Sequence, residues 1–576
     1  MFSNTWETSE RKHGMIVEKH VKIKMADGTL LDADVFRPAS EGKFPAILGY
    51  HPYPQTPQTA EIPPSGFSIT FFKNPGQEKG NAYLEAGEPT FFVRRGYAFV
   101  VVNVRGTGFS EGTYPFLDRQ EIEDGVAVVE WMAAQPWCDG NIGMYGVSYF
   151  AWIQFYVASL KPPHLKCIFA PWGATDVYRD SIYHGGILGH GFWRMWAMGS
   201  VHNMRVESQS RKELGEQKFK EEIGKLLQDE DIAGVPELVQ ILRAPDQWVH
   251  PILVDIMLHP FDGPYWDVRK ARYDAIDVPA YIGACWGMYG LHLPAAFRSW
   301  EHLAKQKKML IGPPAYLDRP LYQLQYESLR WFDHWLKGID TGMMEERPIK
   351  IFVMNTGEWK EADTWPLPET RWTPFYLHEN GLLFEKEPYA DGCAAAFEDS
   401  PWGRGYLEYH SPVLVENTEV IGPILLNLYA STNDTDILWF VSLREVDADG
   451  NEKILTRGWL RGSQRKVDPA RSKRYLPFHP HTGREPLVPS EIYEFNIPVV
   501  PTGILFKAGS RIKLKICCTD DEPKTPLQTN AAGHLKRQSP SRIKIYQDAD
   551  HPSHLLLPVT RGNVLSTFIS GGKPHM

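Results

Sequence analysis

Residues Ile142–Leu160 read IGMYGVSYFAWIQFYVASL. An apolar run ending at Tyr145, a glycine at 146 and an apolar helical stretch from Tyr149 predict strand, tight turn and helix, with Ser148 in the turn. A serine held there exposes its Oγ, and the backbone N–H of Tyr149 can donate to the oxyanion that forms when Oγ attacks a carbonyl. Gly146 permits the close turn. The usual G-x-S-x-G spacing is broken: Phe150 stands at its last position, followed by the small Ala151. Gly-x-Ser also occurs in plain strand-to-helix turns, so the turn alone does not establish catalysis.

Upstream, VKIKMADGTLLDADVFRP reads as a hairpin around Asp27-Gly28. Apolar runs at 44–50 (FPAILGY), 97–104 (YAFVVVNV) and 142–145, separated by helical stretches such as 121–134, indicate a parallel α/β sheet. From about Tyr178 to Arg272 the chain turns helical and rich in Trp and His, which predicts an inserted cap. Sheet-like runs resume at 278–284 and 308–312. After Pro348, short alternating segments (IKIFVMN, IGPILLNLYAS, ILWFVSLREVD, RIKLKICCT) carry the signature of an antiparallel sandwich. The expected organisation is an α/β domain at 1–177 and 273–347, a helical cap at 178–272 and a β-sandwich at 348–576.

With 576 residues, 43% hydrophobic and 12% aromatic, the chain can bury more than one core. Its formal charge of −9, without a basic block, argues against nucleic acid or an anionic membrane as partner and favours a small-molecule substrate. The polar first twenty residues and the lack of an uncharged run of roughly 18 residues lead us to expect a cytoplasmic protein. A homo-oligomer is compatible with this reading. The six cysteines lack C-x-x-C or Cys/His ligand spacing, so buried thiols are expected, and neither a metal nor a cofactor. Asp434 and Asp436 lack the Gly-centred loop of an EF-hand, and RGTGFSEG has no Lys that would make it a phosphate loop.

Several long strings resemble one family: VNVRGTGFSEG at 102–112, EDGVAVVEWMAAQPWCDGNIGMYGVSYF at 123–150, TDVYRD at 175–180, LRWFDHWLKGIDTG, STNDTDILWFVSLREVDADG and FKAGSRIKLKI. The chain resembles the cocaine-esterase-like (CocE/NonD) hydrolases, relatives of the X-Pro dipeptidyl-peptidases and α-amino-acid ester hydrolases. The resemblance implies an α/β-hydrolase domain with an inserted helical cap and a C-terminal jelly roll. It further implies a cofactor-independent serine hydrolase with Ser148 as nucleophile, and an oxyanion hole from the Tyr149 N–H and the hydroxyl of Tyr53 in GYHPYP.

The same resemblance exposes a deficit. The family's acid follows the strand written here VPAYIGA, where Met288 stands at the nearest position, and its histidine closes a segment written here IGPPAYLD, where Tyr316 stands. Loss of the base from a serine triad costs roughly 10⁶ in kcat. His292 lies four residues past Met288 and Asp318 two past Tyr316, so a rebuilt set of Ser148, His292 and Asp318 is one expectation. The plainer reading of His292 is a cap or packing residue of the following helix, and of Asp318 a solvated partner of Arg319. His51 is a candidate oxyanion helper, and His184 and His190 stand where the cap begins. Asp176, Glu111 and His334 read as structural.

The competing expectation is a non-hydrolytic protein of this fold in which Tyr53, Tyr149, Tyr289 and Tyr316 line a pocket that binds a ligand or guides isomerase, cyclase or lyase chemistry. Phe192, Trp193 and Trp196 in the cap suit either an apolar acyl group over Ser148 or a helix-helix core.

Overall fold

The structure is a computed structural model of the whole chain, and residues 7–53, 85–199, 204–314, 324–520 and 533–562 are described here. Ten strands form the first sheet. β1 (Met15–Lys24) and β2 (Leu30–Pro38) make an antiparallel hairpin whose turn uses Gly28 at φ +89°, as the Asp27-Gly28 pair predicts. β3 (Phe44–His51), β4 (Ala98–Asn103), β5 (Cys138–Tyr145) and β6 (Leu165–Pro171) follow. Every residue of β4 and nearly every residue of β3 is buried, the continuous apolar character of strands covered on both faces.

After β6 the chain enters the cap, opening with a short hairpin of β7 (Tyr183–His184) and β8 (Ile187–Leu188), then running through helices that include His190–Gly199, Glu216–Gln228 and His250–Leu258. It returns as β9 (Ala280–Cys285), β10 (Lys307–Gly312), β11 (Ile349–Val353) and β12 (Glu358–Ala362). The strand order is β1-β2-β4-β3-β5-β6-β9-β10-β11-β12, parallel from β4 to β11. β11 and β12 therefore extend the first sheet, although IKIFVMN reads from sequence as part of the sandwich. A strand near the sheet edge alternates like a sandwich strand when one face is less covered, and β11, next to the edge strand β12, shows that pattern.

The remaining twelve strands form the jelly-roll domain. Its central strand, Thr418–Thr432, pairs with Tyr493–Phe506 on one side and with both Ser541–Tyr546 and His554–Arg561 on the other, which folds the sheet back on itself. The two sheets meet where Met354 exchanges backbone hydrogen bonds with Gly503 and Leu505. Trp286, in the loop after β9, packs on Gly503, where a Cβ would come within 2.4 Å of the ring. Five cysteines are buried thiols outside any disulfide; Cys393, expected to be buried with them, is half-exposed and donates to Glu379.

Three helices matter for the site: α1 (Pro89–Val93), α2 (Arg119–Ala133) and α3 (Tyr149–Ala158). Asp118 caps α2 by accepting from the N–H groups of Gln120 and Glu121. All ten residues of α3 are buried, because the helix lies between the sheet and the cap. β3 sits between β4 and β5, where the direction of strand succession reverses, and open parallel sheets bind ligands at the carboxyl ends of such strands. His51 ends β3 and Ser148 follows β5 at that end.

Candidate active site

Ser148 immediately precedes α3 with φ +55° and ψ −124°, a strained conformation for a non-glycine residue. Its carbonyl accepts from the N–H groups of Ala151 and Trp152, so the helix begins at the serine itself. Gly146 has φ +134°, and a Cβ there would lie 2.4 Å from Cβ of Phe150. The break in the usual motif is explained by the same packing. The Phe150 ring passes over Gly146, lies against Gly49 of β3 and stacks on His51 at 4.4 Å.

Tyr53 is positioned from β4. Asn103 Nδ2 donates to the carbonyl of Tyr53 at 2.7 Å, and Val104 N–H donates to that of His51 at 2.9 Å. Gly108 leaves room for the Asn103 amide, since a Cβ would meet its oxygen at 2.1 Å. Arg105 binds Asp124 through two hydrogen bonds of 2.7 and 2.9 Å and Asp27 at 2.7 Å, tying this loop to α2 and the hairpin. The string VNVRGTGFSEG thus holds the loop that carries Tyr53. Glu111 pairs with Leu30, a structural role.

The groups around Ser148 converge on a residue that sequence reading passes over. The carboxyl of Glu85 lies against the Tyr53 hydroxyl, the Ser148 hydroxyl and the backbone N–H of Tyr149. Glu85 is only 5% exposed, and burial pushes its carboxyl up to about 8 even though these three donors favour the ionised form. The segment EAGEP carries no spacing or periodicity that relates it to Ser148; the proximity is created by the fold.

The side chain of Tyr149 turns away from this point. Its hydroxyl donates to Glu121 Oε1 at 2.5 Å and pairs with the Tyr114 hydroxyl at 2.8 Å, while Glu121 Oε2 accepts from Leu117 N–H. Glu121 is fully buried, and burial raises it to about 8. Between the ordinary carboxylate value and about 8 the folded state holds a proton that the unfolded chain has released, so stability falls as pH rises through that window. Glu121→Gln mimics the neutral acid and removes this contribution. Its melting temperature relative to wild type should therefore improve as pH goes from about 5 to about 8; an unchanged difference would mean that Glu121 is ionised throughout.

The cap closes over these residues. Trp196 Nε1 donates to the Tyr53 hydroxyl at 3.4 Å and its ring stacks on Tyr149, while Trp193 packs on Trp152 and Phe116 and donates to the Ser181 carbonyl. Phe192 meets the edge of Trp193.

The other residues expected at the site are dispersed. His292 is wholly buried and immediately precedes the helix Leu293–His302, away from any hydrogen bond to Ser148. Its Nδ1 lies 3.2 Å from the Gly173 carbonyl and 3.3 Å from Trp152 Nε1, contacts that call for opposite tautomers, and its Nε2 has no hydrogen-bond partner among the described residues. Burial lowers it to about 3. The structure therefore does not place His292 as a base on Ser148. Asp318 and Tyr316 lie outside the described residues.

His51 accepts from the Tyr53 N–H through Nδ1, and burial lowers it to about 3. Met288 is buried, its carbonyl accepting from His292 and Leu293. His184 joins a chain into the jelly roll: its Nδ1 meets His534 Nε2 at 2.7 Å, and His534 Nδ1 meets Asp520 at 2.8 Å. Tyr289 and His184 line a cleft of about 980 Å³ with Arg298, Trp459 and Phe478, and Ser148 is not among its walls. His190 opens a cap helix, and His334 packs on Trp335. Asp176 pairs with Arg179.

A serine in a strained strand-to-helix turn at the switch point of such a sheet, under a helical cap, is the arrangement of an α/β-hydrolase fold. The chain belongs to the X-Pro dipeptidyl-peptidase (S15) family, which residues 27–316 match, and residues 341–556 match the C-terminal non-catalytic domain of X-Pro dipeptidyl-peptidases. It is 25% identical to the cocaine esterase of a Rhodococcus species over 95% of this chain and 99% of that protein. A CocE/NonD family hydrolase from Staphylococcus aureus superposes with a TM-score of 0.78 at 25% identity, covering 95% of this chain and 94% of the other. An α-amino acid ester hydrolase shares the fold, with a TM-score of 0.70 at 16% identity over 97% and 98% of the two chains. No helix among the described residues is long and apolar enough to cross a membrane.

Proposed function

We propose that the protein cleaves an ester or amide bond of a small molecule through a seryl-acyl intermediate on Ser148. The observation that carries this reading is the strained elbow at Ser148, with φ +55° and the helix beginning on its carbonyl, where the Ser148 hydroxyl, the Tyr149 N–H and the Tyr53 hydroxyl all act on one carboxyl group, that of Glu85. A carboxyl has the planar O–C–O of a product acid, so the point these groups share suits an acyl oxygen. On attack, the carbonyl oxygen gains charge and is met by the Tyr149 N–H and the Tyr53 hydroxyl, donors that a low-dielectric site makes more effective. Trp193 and Trp196 offer an apolar wall, which favours a largely apolar acyl group.

The test is turnover of short-chain p-nitrophenyl esters by wild type and Tyr53→Phe. Loss of one oxyanion donor should lower kcat by about 10²–10³ with KM little changed. A wild type that binds these esters without turnover would favour the non-hydrolytic reading instead.

A further inference from the structure

Met288 and Tyr316 stand where the family pattern calls for an acid and a histidine, yet Glu85, tied to the elbow by the Val147 N–H, has a carboxyl group on which the Ser148 hydroxyl acts. We propose that Glu85 is the proton acceptor for Ser148, so that the site runs on a serine–glutamate pair; this rests on the hydrolase reading given above.

Glu85 is built into the elbow through its backbone as well as its side chain. Its carbonyl accepts from the N–H of Val147, the residue before the nucleophile, at 2.9 Å. Its φ of +65° is a conformation that glycine adopts without penalty, and strain of this kind gathers where a side chain must be aimed. Its Oε2 is buried with no hydrogen-bond partner among the described residues, a costly state. The groups acting on the carboxyl are Tyr53 from the loop after β3, and Ser148 and Tyr149 at the start of α3, with no lysine or arginine among them. Beyond Tyr149 stand Tyr114 and the buried Glu121 of α2.

In acylation the Ser148 Oγ bonds to the acyl carbon while its proton passes to an ionised Glu85 oxygen. The carbonyl oxygen takes the electron pair and moves onto the Tyr53 and Tyr149 donors, displacing Glu85 from them. Collapse expels the alcohol or amine, which takes the proton back from Glu85. Water repeats the sequence in reverse: Glu85 takes its proton, its oxygen bonds to the acyl carbon, and Ser148 leaves with that proton. Because burial raises Glu85 to about 8, the active ionised form accumulates as pH rises above neutrality.

The test is the rate of labelling by a fluorophosphonate probe from about pH 6 to about pH 10 in wild type, Glu85→Gln, Glu85→Asp and His292→Ala. The wild-type rate should climb with a midpoint near 8. Glu85→Gln should label about 10²–10⁴ more slowly with no pH rise, and His292→Ala should keep the wild-type midpoint. Undiminished or faster labelling of Glu85→Gln would overturn the proposal, leaving Glu85 as a mere occupant of the acyl-oxygen site. Loss of the rise in His292→Ala would overturn it in favour of the imidazole. If Glu85→Gln melts far below wild type, Glu85→Asp decides: a shifted midpoint supports Glu85, an unchanged one removes it. A wild type that is never labelled removes the hydrolase reading itself, and this inference with it.

Discussion

Ser148→Ala is expected to lower kcat on any ester substrate by about 10⁴-fold or more while leaving the fold intact. In the proposed mechanism the serine supplies the atom of this constellation that bonds to the acyl carbon. The Tyr149 N–H and Tyr53 hydroxyl would survive the substitution and could still polarise a carbonyl toward attack by water, so residual hydrolysis above the uncatalysed rate is expected. Packing should change little, because the Ser148 hydroxyl contacts Glu85 and the turn is set by Gly146 and the stacking of Phe150 on His51. Steady-state assays and a thermal melt on the same sample make the check. Loss of activity with unchanged melting supports the nucleophile; retained activity would move the chemistry elsewhere.

The second large effect is structural and lies in the jelly roll. Asp436→Ala should destabilise that domain by about 3–5 kcal/mol. Asp436 accepts from the N–H groups of Ile437 and Ser463 through Oδ1, and from Arg461 Nε at 2.7 Å and the Ser463 hydroxyl through Oδ2. Removing it strips a buried guanidinium of its closest partner, since the next carboxylate, Asp231, is 3.8 Å away, and leaves two backbone donors unsatisfied. Burial pushes the carboxyl up, but Arg461 and Ser463 outweigh it and hold Asp436 below the ordinary range. A depressed folded value contributes stability that is present near neutrality and is lost as pH falls through that value. The cost of Asp436→Ala should therefore shrink in acid. Denaturant unfolding followed through the neighbouring buried Trp439 measures it; equal midpoints for variant and wild type at neutral pH would contradict this role.

The acidic pair Asp434 and Asp436, which lacks an EF-hand loop, thus has its explanation in Arg461 for Asp436 and in Arg537 for Asp434. The elbow was legible for a local reason: Gly146, Ser148 and the wholly apolar α3 are contiguous, and short-range sterics dictate the turn. The strand-rich third was legible through period-two alternation, and for the same reason β11 reads as a sandwich strand although it pairs in the first sheet. The partner of Ser148 was not legible. Glu85 reaches the serine only because the segment before α1 folds onto the elbow, where its carbonyl takes the Val147 N–H. His292 drew attention by its place in the loop after β9, but distance along a loop carries no direction, and the ring is aimed at Gly173 and Trp152.

The most direct measurement is the site of covalent capture: the native full-length protein is treated with a fluorophosphonate, and the adduct is located by intact mass and peptide mapping. One adduct per chain on the peptide that carries Ser148, absent from Ser148→Ala, is the expected result. No adduct at all, or one on another residue with Ser148 unmodified, would contradict a seryl-acyl hydrolase at this elbow.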